Sequence, residues 1–285
     1  MTSALVPGSR GRSPRLGPRL GWPAASFIAF LVLITLAGPW LAPFSPTAFN
    51  PEASLVPPSW PYVFGTDEFG RDVFSRILAG AQPTLAPAFV AAALGIVAGA
   101  ATGLLCGFLG GRVDEAVMRT MDVLLSFPAL ILGLLIVTML GGSTVNLVLA
   151  IAVIFWPRSA RLVRGAALDL GRREFIDACR ARGESTFFIL FREMLPNMAG
   201  IVIVDFALRI SAAILLTASL AYLGIGAQPP TPAWGLMVKE GQQFIQFAPW
   251  LTVAPCLTVA AISTGAVAVG EALRRRFSIA ERIAR

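Results

Sequence analysis

Six stretches of this chain stay apolar for about 20 residues, the length that crosses a hydrocarbon core. They are Pro23–Ala42, Thr84–Leu109, Asp122–Leu140, Val145–Arg164, Met198–Leu223 and Pro249–Leu273. In lipid, only helices and closed barrels satisfy every backbone polar group, and continuous apolar runs rather than alternating ones select helices. Composition agrees. Only 14% of the 285 residues are charged and 56% are hydrophobic, whereas a soluble domain carries about 25% charge. The expected fold is therefore an all-α integral membrane protein with six transmembrane helices.

The fourth stretch is the weak one, because its uninterrupted apolar part, Leu147 to Trp156, is short. Sidedness supports it. Of 23 basic residues, 22 are Arg and one is Lys239. Six spans place 19 of them on one face: Arg10 to Arg19, Arg112 and Arg119, the eight arginines of residues 157–197, and the five after residue 273. The opposite face keeps Arg71, Arg76 and Lys239, and Arg209 falls inside a span. The positive-inside rule then puts both termini and the long loop in the cytoplasm, with Arg158 and Arg161 snorkelling toward headgroups. The first 42 residues could be read as a signal peptide. The apolar run is long for one and no small-x-small site clearly follows it, so an uncleaved anchor behind a disordered tail is preferred.

Several function classes fall away. The chain has no histidine, which removes imidazole catalysis, His-ligated metals and His proton relays. Cys106, Cys179 and Cys256 lie far apart, with neither disulfide nor metal spacing. The net charge of +7 follows from topology rather than from nucleic-acid binding. No G-x-x-x-x-G-K-[ST] loop exists, and Lys239 lies between Val238 and Glu240. If transport is ATP-driven, another polypeptide binds the nucleotide. A secondary transporter would show more spans and repeated halves, and an intramembrane enzyme would need paired carboxylates or a serine with its base; neither pattern is present.

Within the spans, Gly95, Gly99, Gly103, Gly107 and Gly111 recur every fourth residue, a small-xxx-small stripe for close helix packing, in this chain or against a partner. Asp205 and Arg209 share a helix face at i, i+4. Each costs about 2.5–3.5 kcal/mol at the bilayer centre on insertion scales, so neither faces lipid. They line a translocation path or form a buried structural pair. Outside, the segments Pro43 to Pro83 and Gly224 to Pro249 are rich in turn residues and suit either docking or capping.

The loop between the fourth and fifth stretches holds eight arginines and five carboxylates in residues 157–197. Glu174 to Arg182 is made of helix formers, Gly183 suits a C′ position with φ > 0, and Glu184-Ser185-Thr186 starts a second helix with an apolar Phe187, Phe188, Leu190, Phe191 face that Pro196 ends. Two short helices joined at a glycine make a knob for a soluble partner. The alternative is an amphipathic segment resting on headgroups, and interleaved carboxylates count against it.

These residues resemble the cytoplasmic coupling loop of permease subunits in bacterial ATP-binding-cassette importers. That family's pattern is Glu-Ala-Ala, three residues, Gly, nine residues, an apolar residue, any residue, Leu-Pro. Here it reads Asp177-Ala178-Cys179, Gly183 and Leu195-Pro196 at matching spacing, with Asp for Glu, Cys for the second Ala and Glu193 at the apolar position. More narrowly, Gly65-Thr66-Asp67 with Gly70-Arg71-Asp72, Met118-Arg119 with Asp122 and Phe127-Pro128, and Leu223 to Pro232 with Trp234-Gly235 resemble the C-type permease of dipeptide, oligopeptide and nickel importers. The resemblance implies a type I importer transmembrane fold with a cytoplasmic coupling helix: residues 1–22 a tail, 23–42 the first span, 43–82 external, 83–273 the permease domain with its loop at 165–197, and 274–285 a second tail. It implies a second permease subunit, one or two ATPase subunits that bind the ATP and Mg, and an external substrate-binding protein, all at a bacterial inner membrane, with no enzyme activity or cofactor in this chain. Glu174, Asp177, Ala178, Arg180, Gly183, Leu195 and Pro196 become the expected coupling residues, and alternating access the expected mechanism. The substrate stays open among peptides, nickel chelates, haem precursors and other small solutes.

Overall fold

The computed structural model describes residues 22–284, with side chains described from 25 to 275. Residues 1–21 of the tail expected over 1–22, and Arg285, lie outside the described residues, and Trp22 opens the first helix instead. Among the described residues ten α-helices follow one another: α1 (Trp22–Leu41), α2 (Val73–Leu109), α3 (Gly111–Ser126), α4 (Ala129–Leu140), α5 (Thr144–Leu170), α6 (Glu174–Ala181), α7 (Thr186–Phe188), α8 (Leu195–Tyr222), α9 (Trp234–Gln242) and α10 (Trp250–Ala284). Among the described residues there is no strand, and one isolated antiparallel bridge joins Thr66 to Asp72.

Among the described residues four rods are long and apolar enough to cross a bilayer: α2, α5, the continuous helix Thr186–Tyr222 and Trp250–Arg275. The described part of α1, Ala25–Leu41, is apolar but shorter. The third expected span, Asp122–Leu140, is not one helix. It straddles α3 and α4, which meet at 95°. Pro128 is the cause: its ring pushes the preceding residue out of the helical region, and Phe127 is extended at φ −84°, ψ 136°. α3 carries Arg112, Asp114, Glu115, Arg119 and Asp122, so its length is polar on one face, while α4 is apolar but for Thr138.

Other boundaries move for equally local reasons. α2 starts at Val73 rather than Thr84, because the Asp72 carboxylate accepts from Ser75 N at 2.8 Å and caps it there. Pro83 and Pro87 then lie inside the helix without ending it. α5 passes through Pro157 and reaches Leu170, so the loop expected from residue 165 opens at Gly171. Pro196 does not end a helix either. Ile189–Met194 forms a π-helical stretch that widens the turn below the proline ring, and α7 runs on through it into α8. The knob expected from the sequence is thus one short helix, α6, set beside the base of a rod.

The spine is the pairing of α2 with α5. Cβ atoms added at Gly95 and Gly107 would meet Ala152 O and Ala167 Cβ at 2.6 Å, and at Gly99 and Gly103 they would collide with Ser159 and with Ala160 O. Gly111 departs from the stripe: it opens α3 at φ +64° with nothing near it. One core cluster gathers Leu85, Ile151, Phe155, Ile214, Leu220 and Trp234. A second, at the α6 end, gathers Leu104, Val163, Ile176, Cys179, Leu190 and Met194.

Candidate coupling surface and buried charges

α6 shows two faces set by its sequence. Ile176 and Cys179 point inward and are buried against α2, α5 and the base of the α8 rod. Glu174, Asp177, Ala178 and Arg180 are exposed. Cysteine therefore fits the position where the family pattern has alanine, as a small apolar residue in a tight core. Met194 is fully buried and Glu193 only half-exposed, so the apolar position is filled one residue later than the pattern has it, inside the π turn.

Gly183 takes φ +75°. Its N–H donates to Arg180 O at 3.0 Å and Glu184 N donates to Cys179 O at 3.1 Å, the two bonds of a Schellman motif. Ser185 caps the next turn by accepting from Phe188 N. Phe187 and Phe191 stack at 4.4 Å on the exposed side. Arg180 is held over the Phe108 ring at 5.4 Å and pairs with Asp177 at 3.1 Å. Leu195 is half-buried and Pro196 exposed, more than two helical turns beyond the Gly183 bend. The surface is thus an exposed ridge of mixed charge and aromatic rings, riding on a buried apolar footing shared by three long helices.

Arg161 of α5, expected to snorkel, and Arg164 one turn on both form ion pairs. Arg164 donates two hydrogen bonds of 2.5 Å to Asp114, and Arg161 pairs with Asp122. Together they strap α3 across the end of α5 that leads into α6. Sequence reading missed these partners because the two chain segments lie about 40–50 residues apart, outside any helical spacing.

Asp205 and Arg209 do meet, Nε to Oδ1 at 2.8 Å. Ser159 Oγ on α5 donates to the other Asp205 oxygen at 2.7 Å, and the Arg209 guanidinium lies 5.9 Å from the Phe155 ring centroid. The pair is buried at the α5–α8 contact. Arg209 Nε is not aimed at its neighbour in hydrogen-bond geometry, so the contact is one of charge.

A second ionic cluster lies at the opposite end of the bundle. Asp67 Oδ1 accepts from Phe69 N and Arg71 N at 2.9 Å, shaping the turn between Gly65 and Gly70, both at positive φ. Asp67 Oδ2 takes Arg71 Nε at 2.6 Å and lies 3.5 Å from Arg76 Nε. Arg76 then reaches Glu240 on α9 at 2.9 Å. The Glu68 carboxyl beside it is held above its ordinary range, first by burial and then by the charges of Asp67 and Glu240, partly offset by backbone hydrogen bonding and Arg71. Trp234, fully buried, nails α9 to α2: its backbone N donates to Thr84 Oγ1 at 3.1 Å and its indole to Ile77 O at 2.9 Å. The sequence motif Gly-Thr-Asp with Gly-Arg-Asp is therefore a clasp between the segment before α2 and the segment after α8. Among the described residues, no group of three or more His, Cys, Asp or Glu is placed to hold a metal ion.

Comparison with known proteins adds the lineage. Residues 95–279 match the family described as binding-protein-dependent transport system inner membrane component. The Dipeptide transport system permease protein DppC of Alkalihalophilus pseudofirmus is 38% identical over 87% of this chain and 81% of its own length. That of Haemophilus influenzae is 37% identical over 87% and 86%. The Glutathione transport system permease protein GsiD of Escherichia coli O6:K15:H31 is 38% identical over 83% and 78%. Among solved structures, the MetNI methionine ABC transporter in inward-facing conformations superposes with a TM-score of 0.53 at 19% identity, covering 70% of this chain and 96% of that one, which establishes a shared fold. An importer permease fold, multi-pass membrane helices and this match over most of the chain converge: the chain belongs to the family of binding-protein-dependent transport system inner membrane components.

Proposed function

We propose that this chain is one permease subunit of an ATP-driven importer of dipeptides, oligopeptides or related small solutes. Partner ATPase subunits bind and hydrolyse the nucleotide, a second permease completes the path, and an external binding protein delivers the substrate. The observation that carries the reading is the seating of α6: an exposed ridge of Glu174, Asp177, Ala178 and Arg180 is footed by Ile176 and Cys179 on α2, α5 and the α8 rod. A push on such a ridge moves spans rather than a loose loop. The Asp114–Arg164 and Asp122–Arg161 straps add α3, and through the elbow α4, to the same body. The peptide class is supported by what the relatives are named for. The arginine-rich ridge and both termini then face the cytoplasm, and the clasp around Asp67 and Glu240 faces the binding protein.

The test is reconstitution of the chain with its neighbouring subunits in vesicles, followed by uptake of labelled dipeptide. Uptake should need ATP on the α6 side and binding protein on the other. Uptake driven by an ion gradient through this chain alone would overturn the proposal.

A further inference from the structure

Phe187 and Phe191 stack with ring centroids 4.4 Å apart and are 70% and 49% exposed. They form the outer side of the same turns whose inner side, Leu190 and Met194, is core. Neither ring belongs to a core cluster of the described residues. Their depth excludes lipid as the cover. Ser159 Oγ donates to Asp205, which sets α5 and α8 level at that point. Toward α6 from there, the fourth apolar stretch ends at Arg164 and the fifth at Met198, so the hydrocarbon ends near both. Along the rod, Phe191 lies about 10 Å and Phe187 about 16 Å beyond Met198. A headgroup layer is about 5–7 Å deep. The pair therefore stands in water, past Arg192, Glu193 and Asn197. The charges of α6 are answered within the chain: Arg180 pairs with Asp177 at 3.1 Å and Arg182 lies 3.5 Å from Glu184. Exposed charge pairs add little to affinity, whereas aromatic rings dominate the buried centre of a protein interface.

We propose that the Phe187–Phe191 pair anchors the ATPase contact: the two rings enter an apolar pocket of the ATPase subunit, and the charged ridge of α6 sets the register. This rests on the reading of the chain as an importer permease. The pair continues the α6 surface, from which the Gly183 bend and the Ser185 cap separate it. Both rings belong to the first turns of the Thr186–Tyr222 rod. The ATPase then holds a span directly, in addition to pressing on α6.

The chain and its partner permease, in lipid nanodiscs, are titrated with the purified ATPase subunits of the same transport system, and the dissociation constant is measured. Phe187→Ala with Phe191→Ala should weaken binding by about 30-fold, the loss expected of a hot-spot pair, and the melting temperature checks that the variant is folded. Asp177→Asn with Arg180→Gln should weaken it by no more than about fivefold. A loss in the phenylalanine variant no larger than that in the charge variant overturns the anchor and leaves the importer reading standing. Wild-type nanodiscs that bind no ATPase overturn both. A fluorophore on Phe187→Cys, in a background lacking the native cysteines, should be shielded from iodide when the ATPase binds. Quenching by brominated acyl chains would instead place the ring in lipid, and shielding by a second copy of the chain without ATPase would make that copy the occupant; either result overturns the proposal.

Discussion

Ser159, Asp205 and Arg209 form a three-residue unit in which a serine hydroxyl and a guanidinium share one carboxylate. Removing one member leaves the other charge without its counterion. Asp205→Asn should destabilise the protein by about 3–5 kcal/mol, as seen when a buried pair loses one partner. Asp205→Asn with Arg209→Gln should be less damaging than that single change, and thermal unfolding in detergent measures both. Transport separates the two roles left open by the sequence: a pair that lines the path should lose uptake in the double variant even where stability is restored. Glu68 offers a pH test with the opposite sign to most carboxylates. Its folded pKa is raised from an ordinary 4.5, so the folded state holds the proton more tightly than the unfolded one. Its contribution is fully present below the ordinary value and is lost as pH rises through the raised one. Glu68→Gln should flatten the stability–pH curve in that window and leave the rest unchanged. The role of Gly183 as a helix stop was legible in the sequence because capping is local. The Arg76–Glu240 bond was not, since it closes a separation of 164 residues.

Individual elements obey the same division between local and distant causes. Apolar length located α2, α8 and α10, because a bilayer leaves a continuous apolar run little choice of fold, and α5 needed the charge asymmetry as well. The elbow between α3 and α4 was hidden by the same measure: apolar residues continue across Phe127-Pro128, and the composition does not show the turn. The π stretch at Ile189–Met194 was equally hidden, since it is a change of hydrogen-bond register and not of residue type. Two predictions belong here. Gly103→Val should cost about 1–3 kcal/mol by overpacking, because its Cβ would strike Ala160 O on α5, and the loss should appear as a lower melting temperature. Gly183→Leu meets no neighbour and costs only the left-handed backbone, about 1–2 kcal/mol. Subunit assembly should survive, uptake should fall, and Gly183→Asn should recover part of it because Asn tolerates that conformation. Full uptake in Gly183→Leu would count against a coupling role for α6.

At the scale of the whole molecule, charge asymmetry across six apolar segments leads to a proposed sidedness, and labelling tests it. A cysteine placed at Arg180 in a background lacking Cys106, Cys179 and Cys256 should react with impermeant reagents only from the cytosolic side, and one placed at Trp60, which is 91% exposed, only from outside. Finally, α4 has 12 residues, about 18 Å of rise, against a hydrocarbon layer of about 30 Å. With Leu140 at one headgroup layer, its first turn, beginning at Ala129, starts below the other with amide protons that no preceding turn accepts. Acyl chains have nothing to offer those protons. The corner has to look onto protein or onto water, and that tells which flank of this bundle is turned away from the membrane.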